Sequence, residues 1–149
     1  MQIITKNKKA LFNFEILEKF EAGIVLKGCE IKSIRQNKIN FSESSFIFFK
    51  QGELWVKNIN ISVYSFTSYK IDPLRERKLL LKKKEIKKIS KKINETGISC
   101  VVLNVFISKK GLAKLTIALA KGKKKHDKRE TKKKKEVEKK IKQAIKKIY

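Results

Sequence analysis

The last 29 residues set the tightest limit on what this chain can fold into. From Lys121 to Tyr149 there are 15 basic and 4 acidic residues, a net +11, and neither Phe nor Trp. Like charges at that density repel, and the segment lacks the apolar mass for a core of its own. The globular body must therefore come from residues 1–120, with 121–149 as a basic tail. The body is basic too: residues 1–120 hold 24 Lys and Arg against 10 Asp and Glu, a net +14 within a formal +25 for the 149 residues. Hydrophobic residues reach 41%, enough to give the body one real core. Such a chain is self-repelling until a polyanion neutralises it. Nucleic acid is the leading partner and an anionic membrane surface the second.

Several classes drop out. No apolar run approaches the 18 residues of a membrane-spanning helix; Phe46 to Phe49 is typical of the runs present. Met1 to Phe20 has no continuous apolar stretch of the secretory kind. Cys29 and Cys100 stand alone and far apart, which fits two thiols in a reducing cytoplasm and neither a disulfide framework nor a zinc site. Catalysis finds no support. The one histidine, His126, lies in a lysine run beside Asp127 with no nucleophile in pattern, so it reads as a solvated or RNA-stacking side chain. No phosphate-loop or metal-ligand spacing occurs, and no cofactor is expected.

The body reads as mainly β with helices. Phe12 to Phe20 and Ala22 to Lys27 are strand candidates. Gly28 to Arg35 suits a short helix with Ile31 and Ile34 on one face. Ser45–Lys50 and Glu53–Asn58 flank Gln51-Gly52, a hairpin signal. Asp72-Pro73 marks a new segment, with Pro suited to a helix's first turn. Ile86, Ile89 and Ile93 predict an amphipathic helix over Lys82–Glu95, stopped at Gly97. Ile98–Ile107 and Leu112–Ala120 flank Lys109-Lys110-Gly111 as a second hairpin. About six short strands with inserted helices predict a small closed antiparallel barrel, because closure removes sticky edges.

A β-barrel with basic and aromatic groups on its surface is a common RNA holder. Most of Phe12, Phe14, Phe20, Phe46, Phe48, Phe49 and Trp55 are expected in the core, with at most one or two left to touch a base. In the tail, Val137, Ile141, Ile145 and Ile148 form one apolar stripe on a lysine-coated helix. That helix should fray in free solution and order when phosphates neutralise it. The stripe is narrow and has no Trp or Phe, which ranks a membrane surface below RNA.

Four blocks in order carry a family resemblance. They are Asn7-Lys8-Lys9-Ala10; Phe20 to Gly28 followed by Glu30-Ile31-Lys32-Ser33; Asp72-Pro73-Leu74-Arg75 with Arg77 to Leu81; and Ala118 to Lys124 followed by His126-Asp127-Lys128-Arg129. Together they resemble the SsrA-binding proteins, small protein B, the partners of transfer-messenger RNA (tmRNA) in bacterial trans-translation. The resemblance implies an OB-like closed barrel that grips the elbow of the tRNA-like domain. It also implies a tail that is disordered when free and helical in the empty mRNA channel of a stalled ribosome, with EF-Tu in the delivery complex. No membrane is involved, and a monomer is the simplest expectation. On the body, Asn7, Lys8, Lys9, Glu21, Gly23, Lys32 and Lys114 are the implied RNA-binding residues. On the tail, Lys121, Lys123, Lys124, His126, Asp127, Lys128 and Arg129 are implied to meet rRNA. Two departures stand out: Leu11-Phe12 replaces the family's Arg-His, and Val63-Tyr64 replaces its Pro-Tyr. The competing readings are a structural ribosomal protein with a basic extension, a general RNA-binding protein, and an RNA-processing enzyme dependent on His126.

Overall fold

The computed structural model describes residues 2–63, 71–123, 133 and 135–142. Among the described residues up to Gly122, seven strands and three helices follow one another as β1 (Gln2–Lys6), α1 (Lys8–Asn13), β2 (Phe14–Ile24), α2 (Gly28–Arg35), β3 (Ile39–Lys50), β4 (Glu53–Ile61), β5 (Arg77–Leu80), α3 (Lys83–Ile93), β6 (Ile98–Ile107) and β7 (Ala113–Gly122). All ladders are antiparallel. The sheet order is β1-β6-β3-β4-β5-β2-β7, and β7 also pairs with β6. β6 thus takes β7 along one edge, and β1 and a single β3 position (Ile47 opposite Cys100) along the other.

The inner faces of these strands make the main core. Leu54, Val56, Ile59, Leu79, Val102, Val105, Leu115 and Ile117 are fully buried there. Ile34 of α2 and Ile86 and Ile89 of α3 join them. In α3 the predicted isoleucine stripe faces inward and lysines cover the other side. A second, smaller cluster lies on the other face of β6 and β7: Ala10 of α1 packs with Val101, Leu103, Ala118 and Ala120. β6 is therefore buried on both faces, which explains its unbroken Cys-Val-Val-Leu run.

The alternation in β4 slips by one residue between Val56 and Ile59, both buried. Asn58 absorbs the extra residue at φ +64°, a conformation Asn tolerates better than most residues. Its carbonyl accepts a hydrogen bond from Ser45 Oγ at 2.7 Å. The hairpin between β3 and β4 turns at Gln51-Gly52, with φ of +53° and +77°, as the sequence predicts. α2 occupies the predicted Gly28–Arg35, and Gly97 and Gly111 stand at positive φ where each segment ends or turns.

Several expectations need correction. Residues 8–13 form a helix, so the strand expected from Phe12 starts at Phe14 and runs unbroken to Ile24. The reason lies at Asn7, whose Oδ1 accepts from Ala10 N–H at 3.2 Å and caps the turn. Pro73 opens no helix. Asp72 Oδ1 takes the Leu74 N–H at 2.9 Å in a tight turn, and the chain then extends into β5. β1 and β5, short and without clean alternation, were not foreseen. The aromatics do not fill the core: of the seven considered, only Phe20 is buried, while Phe46 and Phe49 are 43% and 48% exposed. Aliphatic Ile, Leu and Val supply the interior instead.

Candidate nucleic-acid interface

β2 carries Glu21 and Gly23 along the edge it shares with β7. Glu21 stands opposite Thr116, and Gly23 stands opposite Lys114 on one side and Leu80 of β5 on the other. Two concavities meet here. One, of about 650 Å³, is lined by residues that include Lys19, Glu21, Lys82 and Glu85. The other, of about 390 Å³, lies between Ile31 and Arg35 of α2 and the β6–β7 turn at Gly111 and Leu112. Gly23, Leu80 and Lys114 line both. The structure therefore brings Glu21, Gly23 and Lys114 together, and Lys32 lies exposed on the same α2 helix as Ile31 and Arg35.

Gly23 is small for a geometric reason. A Cβ on it would stand 3.2 Å from Leu80 Cβ, tighter than most packed carbons sit, so one strand would have to give by a few tenths of an ångström. Leu80 is 53% exposed at the centre of this surface. Sequence reasoning missed it, although two adjacent leucines in one strand must face opposite ways. The surface thus combines an apolar floor, the Glu21 carboxylate as a hydrogen-bond acceptor, and a cationic rim of Lys114, Arg35 and Lys27.

The N-terminal block divides. Lys8 and Lys9 are exposed on α1, but Asn7 is buried. Its backbone N–H donates to Leu103 O at 2.7 Å and its Nδ2 to Val102 O at 2.9 Å. Asn7 docks α1 onto β6, so it positions the two lysines. Lys121 is exposed near the end of β7, and Lys123 donates its backbone N–H to Asn13 O at 2.8 Å. Lys124, His126, Asp127, Lys128 and Arg129 lie outside the described residues, as do Tyr64, Ile145 and Ile148. Residues 135–142 are helical, Val137 and Ile141 are more than half exposed, and Lys135 Nζ sits 5.9 Å from the Phe12 ring centroid.

The two arginines of the third block act inside the fold. Arg77 is fully buried, and its Nε donates to Glu30 Oε2 at 2.7 Å. Its Nη atoms reach the carbonyls of Ile59 and Pro73 at 2.9 and 3.0 Å. Arg75 also holds Glu30, which in turn accepts from the Lys27 N–H at 2.9 Å and caps α2. Burial opposes ionisation of Glu30. Hydrogen bonds from Arg75 and from the Lys27 N–H, with the charge of Arg77, outweigh it and hold the carboxyl below its ordinary value. This brace fixes α2 against β4 and β5, and so sets the wall of the Gly23 concavity.

Neither cysteine is placed for chemistry. Both are buried, and burial pushes the Cys100 thiol up to about 12. Among the described residues no cluster of three or more His, Cys, Asp or Glu is arranged to hold a metal ion, and no helix is long and apolar enough to cross a membrane.

Known proteins resemble this arrangement closely. The family model described as "SmpB protein" matches residues 4–147. The SsrA-binding protein of Cytophaga hutchinsonii is 54% identical over 127 residues, 85% of this chain and 82% of that one. Those of Bacteroides thetaiotaomicron and Ehrlichia canis are 50% and 48% identical over 85% and 88% of this chain, and 84% and 88% of theirs. A solved chain described under "tmRNA-SmpB: a journey to the center of the bacterial ribosome" superposes with a TM-score of 0.68 at 41% identity, covering 85% of this chain and 92% of that one. On these matches, and on the ordered blocks that build its concave surface, the chain belongs to the SmpB family of SsrA-binding proteins.

Proposed function

We propose that this chain binds the tRNA-like domain of tmRNA and delivers it to stalled ribosomes for trans-translation, acting as a cytoplasmic, monomeric, non-enzymatic factor. The observation that carries the reading is the meeting of Glu21, Gly23 and Lys114 in one concave surface, in a chain that matches the SmpB family from residue 4 to 147. The pairing of β6 with both β7 and β3 supports a closed, OB-like barrel as the reader. On this reading the body is residues 1–120 and the tail 121–149. Lys8, Lys9, Lys32 and Lys114 meet phosphates, while Glu21 accepts from base or ribose donors. The tail residues from Lys121 to Arg129 meet rRNA, and the lysine-coated helix orders only in an empty mRNA channel, because only there do phosphates neutralise it from all sides. EF-Tu completes the delivery complex.

The test is binding of the full chain to its own tRNA-like domain across a salt series, with elongator tRNA as competitor. Preference for the tRNA-like domain should survive rising salt, and Lys114→Ala should weaken binding while lowering the slope of log K against log salt by roughly one. Loss of all preference at high salt would leave only counterion release and sink the assignment of a specific reader.

A further inference from the structure

The outward face of β3, β4 and β5 carries three of the aromatics that the core leaves out, Phe46, Phe48 and Trp55. Ile47, Leu54 and Val56 point inward and are buried. Phe46, Phe48 and Trp55 alternate with them and point out. The register arranges these as a grid: Phe46 faces Lys57, Phe48 faces Trp55, and Trp55 faces Lys78. The Phe46 and Phe48 rings lie 5.6 Å apart at 45°, and Phe46 is 43% exposed. Lys50 Nζ lies 4.8 Å from the Trp55 ring centroid. Beside the two phenylalanines opens a concavity of about 590 Å³, with Ile93 and Ile98 in its wall.

Exposed rings cost free energy in water, since burial of apolar area is favourable, and the core did not need them. Rings on an outer sheet face, interleaved with lysines, match one ligand chemistry above others. Unpaired bases stack on such rings and their phosphates meet the ammonium groups. A duplex hides its base faces and has nothing to stack. Lys50 and Lys78 are paired with Glu76 at 2.8 Å and Glu53 at 3.7 Å, but pairs this exposed are weak and yield to phosphate. The face also adjoins the Gly23 concavity, because Lys78 and Leu80 lie two residues apart on the outward side of β5.

We propose that this face is a second RNA site, which takes single-stranded RNA: Phe46, Phe48 and Trp55 stack its bases while Lys57 and Lys78 hold its phosphates. The site continues the concave surface around Gly23, so an RNA seated there extends a single-stranded flank across the sheet.

Trp55 is the sole tryptophan of the chain, so its fluorescence reports on this face alone. The full chain is titrated with short oligoadenylate and, separately, with duplex RNA of equal phosphate number, at about 0.15 M salt. Saturable quenching by the single strand and little by the duplex is expected. Phe46→Ala should raise the midpoint at least about fivefold, the lower end of one lost stacking contact. Phe46 is half out of the fold, so the thermal midpoint should hold; Phe46→Leu checks the same loss with less change in packing. Equal quenching by duplex and single strand, or binding that leaves Trp55 unquenched, overturns the proposal. So does an unchanged midpoint in both Phe46 variants. None of these readouts involves the tRNA-like domain, so failure here and failure of tmRNA binding are separate results.

Discussion

Arg77 Nε lies 2.7 Å from Glu30 Oε2, with both side chains almost wholly removed from solvent. The pair joins the first turn of α2 to β5, 47 residues further along the chain. The other Arg77 donors are spent on the carbonyls of Ile59, Pro73 and Arg75. A flexible ammonium cannot reproduce that fork. Arg77→Leu leaves Glu30 and three carbonyls short of a partner and should cost about 3–5 kcal/mol. Arg77→Lys should recover only part of it. Urea unfolding of the three proteins checks this, and a loss near zero for Arg77→Leu would refute the brace.

The same pair fixes the sign of a pH effect. Glu30 ionises more readily in the fold than its ordinary 4.5. A carboxyl depressed by folding stabilises above its unfolded pKa and loses that stability as pH falls through the folded one. Unfolding free energy should therefore drop between about pH 5 and the folded pKa of Glu30. Glu30→Gln, already weaker at neutral pH, should show a shallower drop over that range. Parallel pH curves for the two proteins would assign the acid sensitivity to other carboxylates.

Asn7 separates a positioning role from a contact. Its side chain is used inward, on Ala10 N–H and Val102 O. Asn7→Ala should cost about 1–2 kcal/mol of stability, as lost helix caps do. RNA affinity of the folded protein should fall less than in Lys8→Ala or Lys9→Ala. If Asn7→Ala keeps its stability and loses RNA binding, the residue touches RNA directly.

Much of the fold is legible from sequence, and the exceptions have physical causes. α2, α3 and both hairpins announce themselves because Ile spacing and Gly at positive φ are local signals. β1 and β5 are short, and their pairing comes from partners about 100 and about 20 residues distant, so no local pattern marks them. The strand expected at Phe12 lost to a cap whose value depends on Val102, far along the chain. At the site, Glu21 and Gly23 were reached through a family block, while Lys114, which lies in none of the four blocks, was named as a candidate phosphate contact beside them. Leu80 and the Glu30–Arg77 brace were missed because charge and apolarity in sequence do not say which side chain the sheet turns inward.

Gly23 leads to a steric prediction. Gly23→Ala places its methyl 3.2 Å from Leu80 Cβ, which is fixed to the β5 backbone and cannot swing aside. β2 and β5 must part slightly at the pair Gly23–Leu80. Overpacking of this kind costs about 1–3 kcal/mol. Binding of the tRNA-like domain should weaken as well, because Leu80 and Lys114 shift together. Leu80→Gly in the Gly23→Ala background removes the clash and should restore much of the lost stability. If it does not, the space between the strands is not what Gly23 protects.

The place where the tail is cut decides what a truncation reports. β7 ends at Gly122, and Lys121 pairs with both Glu15 and Ile98. Gly122 faces Phe14, and the Lys123 N–H donates to Asn13 O at 2.8 Å. A chain ending at Ala120 therefore loses the last rungs of two ladders along with the tail. A chain ending after Lys123 keeps them. The longer truncation should match the full chain in unfolding free energy within about 0.5 kcal/mol, while the shorter one should fall below it by more than that. Calorimetry on the three lengths checks this. Equal stability of the two truncations would mean that β7 needs nothing beyond Ala120. Only the cut after Lys123 then tests the tail by itself: it should leave binding of the tRNA-like domain intact at high salt and abolish peptide tagging on stalled ribosomes. Loss of RNA preference with that cut would move the specific contacts from the body into the tail.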